Sequence, residues 1–150
     1  MKYSKKLLSI VLIVLCAVGL LSFTGAKVQA AGKTYVYYAT ADSLSTFKKS
    51  SGKLTLKSNH FTKTKYSSKK KFCDATWKNI SKTKLSYKLS SKCKWRSLDV
   101  TDKLGAKGSK VSYKAIKANI KDVRKDDSWD FGVMIYVKNK KIIKVVEIFS

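Results

Sequence analysis

Proline is missing from all 150 residues of this chain, glutamate occurs only at Glu147, histidine only at His60, and arginine only at Arg96 and Arg124. Without proline, tight turns fall to glycine and asparagine, which tolerate the backbone angles they need. A histidine-dependent triad would have one possible base and no partner marked in the sequence, so His60, set among polar residues beside Phe61, reads as a surface side chain. The scarcity of arginine removes most of the planar forks that grip phosphate or guanine in a bidentate manner. Acids are few as well, nine against 33 lysines and arginines, for a formal charge of +24. An AT-rich genome would enrich asparagine and glutamate along with lysine, and neither is abundant, so codon bias does not account for the excess. Lysine is a flexible, strongly hydrated point charge. A coat of it repels itself and attracts polyanions diffusely rather than by reading their sequence.

The N-terminus reads as an export signal. Lys2, Lys5 and Lys6 form a basic flank, Leu7 to Phe23 is an uncharged and largely apolar run, and Val28-Gln29-Ala30 matches an A-x-A-type cleavage site. Cleavage after Ala30 is expected, with residues 31–150 as a single secreted or extracellular domain, either released or retained at the cell surface. Seventeen residues are short for a bilayer core of about 30 Å, although an uncleaved anchor would still leave the remainder outside. A lipid on Cys16 fits poorly, because Leu15 stands where a small residue belongs and the apolar run continues beyond it. A buried core helix is disfavoured by the cationic flank and the cleavage-like site. Removing Lys2, Lys5, Lys6 and Lys27 lowers the formal charge from +24 to +20. A mature chain of about 120 residues suffices for one core.

Two cysteines then remain, Cys73 and Cys93, and in an exported chain such a pair is expected to form a disulfide. Closing a loop of about 20 residues would contribute on the order of 3 kcal/mol. A metal held by two thiols and His60 would be a poor ligand set, and an anaerobic habitat would leave both thiols free.

Strand patterns dominate the mature region. Thr34 to Thr40 is rich in tyrosine and β-branched residues, and Leu44–Lys49 and Lys53–Ser58 flank a hairpin turn at Ser50-Ser51-Gly52, with Leu54 and Leu56 inward. Asn59 to Lys71 is polar and reads as a long mobile loop anchored by Phe61 and Tyr66, with a protease-accessible tip at Lys69-Lys70-Lys71. From Lys84 to Ser90 the alternation is strict: Leu85, Tyr87 and Leu89 share one face and the lysines and serines the other. Trp95, Leu98 and Val100 follow, then a turn-rich connection at Gly105 and Gly108. Ser112 is a good N-cap for one helix whose buried face carries Tyr113, Ile116, Ile120 and Val123, with Lys114, Lys117, Lys121 and Arg124 as a basic stripe beside it. Phe131–Val137 and Ile142–Phe149 close the chain as two strands covered on both faces, with Val133, Ile135, Val137, Ile143 and Val145 as core candidates.

The predicted class is mainly β. One helix before a terminal hairpin reading Val-Met-Ile-Tyr-Val-Lys-Asn-Lys-Lys-Ile-Ile-Lys-Val-Val resembles small secreted OB-like β-barrel domains of unknown function from Gram-positive bacteria. The resemblance spans the mature two-thirds of the chain and rests on pattern. It implies a small antiparallel barrel of five or six strands with no established catalytic residues. OB-type barrels often bind oligonucleotides or oligosaccharides, but a shared fold does not transfer function.

No catalytic, cofactor or metal motif stands out. Asp130-Phe131-Gly132 matches a kinase tripeptide without its glycine-rich or catalytic loops, and the Ser-x-x-Lys matches are as frequent as composition alone produces. Asp126, Asp127 and Asp130 lack the loop glycine and terminal glutamate of an EF-hand and read as a turn after the helix, paired with Arg124 or Lys125. Aromatics interleave with lysines as stacking binders require, although a small core consumes most of them. Tyr66, Trp77 and Trp129 are the expected exposed ones. The expected function is non-enzymatic: a monomeric module that binds anionic cell-wall polymer, acidic glycan or non-specific nucleic acid, with Lys69, Lys70, Lys71, Lys114, Lys117, Lys121 and Arg124 as candidate contacts and no cofactor. The alternatives are a membrane-active, bacteriocin-like protein that engages anionic lipid, and a small hydrolase or nuclease.

Overall fold

The computed structural model describes residues 32–125 and 131–150. The expected export signal, and with it Asp126, Asp127, Trp129 and Asp130, lies outside the described residues. Among these, nine strands join in one sheet: β1 (Thr34–Thr40), β2 (Leu44–Ser50), β3 (Lys53–Ser58), β4 (Phe61–Lys65), β5 (Lys78–Ile80), β6 (Lys84–Asp99), β7 (Ser109–Lys110), β8 (Phe131–Lys138) and β9 (Lys141–Phe149), with one helix, α1 (Tyr113–Val123). The strand order is β2-β3-β6-β9-β8-β1-β4-β5, with β7 on the edge of β6. The protein is mainly β, and the sheet curls into a half-barrel. It departs from the expected antiparallel barrel in one pairing, because β6 and β9 run parallel.

Local chemistry explains the hairpins. Ser51 and Gly52 (φ 48° and 70°) join β2 to β3, and Asn139 and Lys140 (φ 50° and 59°) join β8 to β9. Two consecutive left-handed residues match the right-handed twist of the flanking strands. The segment expected as a mobile loop contains β4 instead. Phe61 and Thr64 are buried, and Thr62 to Lys65 pair with Tyr38 to Tyr35. Its threonines are β-branched and favour a pleated surface, a signal outweighed in the sequence by the surrounding lysines.

Alternation along the central strands divides the core between the two sides of the sheet. On one side Phe131, Val133, Ile135 and Val137 of β8 pack with Leu54, Leu56, Leu85, Ile142 and Val145, and with Ile116 and Ile120 of α1. On the other, Met134 and Tyr136 pack with Val36, Leu98, Leu104, Val146 and Ile148, beneath Tyr38, Tyr66, Phe72 and Trp77. Each large apolar side chain so buried contributes about 1.5–3 kcal/mol. The helix starts where expected: Ser112 Oγ accepts from the Ala115 amide at 3.1 Å. Its Asn119 donates to buried Glu147 at 2.9 Å, so the chain's one glutamate ties α1 to β9. Gly132 lies under the Tyr38 ring, where an added Cβ would come within 2.2 Å of a ring carbon. With Phe131 buried beside it, the kinase-like tripeptide has a packing explanation for these two residues.

The expected disulfide is not formed. Cys73 and Cys93 are free thiols, Cys73 exposed and Cys93 half-buried. The sheet itself separates their surroundings: Cys93 packs against the helix-side core, whereas Phe72 and Ala75, which flank Cys73, pack against the opposite one. Burial pushes the Cys93 thiol up to about 11, partly offset by Lys49.

Candidate functional site

The chemistry concentrates on the side of the sheet away from α1, where irregular pairing gathers positive charge. The β8–β9 register shifts between Tyr136↔Lys144 and Val137↔Ile142, so Ile143 has no partner on β8. On the other flank, Leu89 pairs with Ile142 and Lys94 with Lys144, so the β6 segment from Ser90 to Cys93 passes a single β9 residue. A bulge of this kind reverses the alternation beyond it. Ile142 and Val145 both lie in the helix-side core, while Ile143 and Lys144 face the other way. A regular β9 would aim Lys144 into the apolar core.

Lys92, Lys94 and Arg96, spaced at every second residue of β6, line the same groove of about 720 Å³ as Lys144, above a floor that includes Tyr136 and Tyr66. No aspartate or glutamate among the described residues lines it. Lys144 Nζ donates to the Ala106 carbonyl at 2.7 Å and lies 5.0 Å from the Tyr136 ring centroid. Burial, then Arg96, then Lys94 hold its ammonium down to about 8, with Asp102 opposing. Arg96 Nε is buried and has no hydrogen-bond partner among the described residues. Arg96 and Lys144 are thus half-buried like charges beside the exposed Lys92 and Lys94, a repulsion that an incoming anion would relieve.

Two connections wall this groove. Tyr136 Oη donates to the Leu104 carbonyl at 2.9 Å, and the Leu104 amide donates to the Lys70 carbonyl at 2.8 Å. Gly105 sits so close to Ser68 that an added Cβ would come within 2.7 Å of its backbone. Tyr66 also lines a second groove, of about 730 Å³, with Tyr35, Lys63, Lys65, Lys70 and Lys78. There Lys63 Nζ stands 3.9 Å over the Tyr35 ring, a cation–π contact that occupies that face.

The residues singled out from the sequence do not form one surface. Lys69, Lys70 and Lys71 are exposed on the connection beside the two grooves, and Lys70 lines the second. Lys114, Lys117 and Lys121 are exposed on α1, which covers the side of the sheet opposite the first groove. Arg124 donates Nε to the Ala41 carbonyl at 3.2 Å, and it lines a pocket of about 490 Å³ shared with Asp42 and Tyr38, where an acid offsets its charge. His60 is exposed, as expected. Tyr66 and Trp77 are half-buried rather than exposed, since both pack onto the second core and Trp77 Nε1 donates to the Phe72 carbonyl at 3.0 Å. Sequence reasoning missed Lys94, Arg96 and Lys144. The every-second-residue spacing from Lys92 to Arg96 was a legible signal, whereas the placement of Lys144 depends on a bulge that no local motif announces.

Among the described residues no group of three or more His, Cys, Asp and Glu side chains stands close enough to hold a metal ion, and no helix is long and apolar enough to cross a membrane. No protein-family model, curated protein or solved structure matches the chain.

Proposed function

We propose that the protein is a secreted or surface-held, non-enzymatic, monomeric module that binds anionic polymers: cell-wall polymer, acidic glycan or non-specific nucleic acid. The observation that carries this reading is the convergence of Lys94, Arg96 and Lys144 on a groove that no acid among the described residues lines. Export by the N-terminal segment and the likeness to small OB-like barrels belong to the same proposal. The first is supported by the basic flank and apolar run of residues 1–30. The second is supported by the curled, largely antiparallel sheet with one helix against it.

Binding of this kind draws its free energy from counterions released when lysines neutralise phosphates or sulfates, so it weakens steeply with salt. It is favoured over the membrane-active alternative because α1 spends its apolar residues, Ile116 and Ile120, on the core and offers outward lysines. Such a helix attracts an anionic surface without burying an apolar face in it. The test is a binding panel of teichoic acid, DNA, acidic glycan and anionic vesicles, with neutral dextran and zwitterionic vesicles as controls. Retention of the anionic polymers is expected. Dye leakage confined to anionic vesicles would replace the proposal with the membrane-active reading, and equal retention of neutral dextran would overturn it.

A further inference from the structure

We infer that the two lysine-lined grooves form one continuous track for a linear, ring-poor phosphodiester chain such as a polyol phosphate, seated across Tyr66. The inference rests on the proposed polyanion binding and narrows it to a site and a ligand class.

Three observations carry it. First, the grooves share Tyr66 at the end of β4: one, on the side away from α1, is lined by Lys94, Arg96 and Lys144. The other continues around that end, lined by Lys70 and then by Lys63 and Lys78, which share the face of Tyr37 and Phe61. A ligand with charges repeated along its length can engage both, whereas an isolated phosphate engages one. Second, Arg96 Nε is a buried donor with no partner among the described residues, and Lys144 sits half-buried among like charges. A phosphate in the groove would offset the charge of the Arg96 guanidinium and neutralise Lys144. Third, little aromatic surface is left for stacking. Lys63 covers Tyr35, Tyr136 is buried with its hydroxyl on Leu104, and Trp77 and Phe72 pack on Tyr38 with ring centroids 5.7 and 4.9 Å away. Single-stranded nucleic-acid sites present successive free rings. One half-exposed tyrosine between two clusters of point charges suits a flexible phosphate chain better.

The test uses the full chain, polyol phosphates of short and long defined length, inorganic phosphate, and a single-stranded oligonucleotide matched in charge to the long polymer. Lys94→Gln represents one groove, Lys70→Gln the other, and Lys117→Gln on α1 serves as a control; circular dichroism checks that each variant is folded. Bridging both grooves makes the second contact intramolecular, so the long polymer should bind at least about 10-fold tighter per phosphate than the short one. Each groove variant should remove most of that gain, the double variant should remove no more than either alone, and Lys117→Gln should leave it in place. If Lys117→Gln costs as much as the groove variants, or length gives no gain per phosphate, the track is refuted while polyanion binding stands. Tighter binding of the oligonucleotide would overturn the ring-poor assignment. Failure of every anion to bind would remove the functional proposal along with the inference.

Discussion

Replacing Arg96 by methionine should stabilise the protein while weakening its hold on polyanions. Methionine keeps an unbranched apolar stem of similar reach and omits the guanidinium. In the wild-type fold Arg96 Nε is buried without a partner among the described residues, and the guanidinium stands near Lys144, whose charge it disfavours. A buried unsatisfied donor costs about 1–3 kcal/mol. The residue is only half-buried, so the low end applies, and the expected gain is about 1 kcal/mol, or a rise in Tm of about 4 °C for a domain of this size. With an acidic polymer the sign reverses. One charge fewer lowers the slope of log K against log salt by about 0.7–0.9, and affinity at low salt should fall about 5–10-fold, on the order of 1 kcal/mol. Thermal unfolding without ligand and isothermal titration with a phosphate polymer read the two effects separately. Unchanged affinity together with a lower Tm would refute the reasoning, because Arg96 would then be a structural side chain whose guanidinium is satisfied.

Three further outcomes follow from the same geometry. Lys144 has its ammonium held down to about 8, and an anion favours the charged form, so polymer affinity should drop as pH rises from about 7 to about 9; Lys144→Met should remove that step in a binding titration, and its persistence in the variant would assign it elsewhere. Tyr136→Phe leaves the Leu104 carbonyl without its 2.9 Å donor and should cost about 1–2 kcal/mol in denaturant unfolding, with no loss of stability contradicting the assigned bond. Cys73 is exposed, whereas Cys93 is half-buried with its thiol pushed up to about 11. A thiol reagent near neutral pH should therefore label Cys73 first, and resistance of both thiols until reductant is added would instead support a bridge.

The fold was readable wherever one local rule acted alone. Leu85, Tyr87 and Leu89 alternate with polar residues and do pack on one core; Ser51-Gly52 makes its turn with positive φ at both residues; and Ser112 caps the helix it announces. The doubly apolar pattern of the last two strands reflects cores on both sides of the sheet. Reading failed where tertiary context decided the outcome. The threonines around Lys63 form a strand because β1 supplies a partner ladder, with Tyr38 opposite Thr62 and Val36 opposite Thr64, which no window over residues 59–71 contains. The disulfide was an inference from cysteine number, and number does not reveal that a sheet divides the surroundings of the two thiols. The candidate site was half legible. The excess of lysine predicted attraction for anions, but local clusters such as Lys69 to Lys71 and the helix stripe drew attention from Lys94 and Lys144, which the parallel β6–β9 pairing places side by side.

The most direct test of the central claim is the salt dependence of binding to a linear phosphate polymer, measured with the wild-type chain and with a variant carrying Lys94→Gln and Lys144→Gln. The account predicts a linear fall of log K with log salt, and a slope shallower in the variant by about 1.4–1.8 for the two charges removed. A flat dependence in the wild type, or the same slope in both proteins, would contradict it.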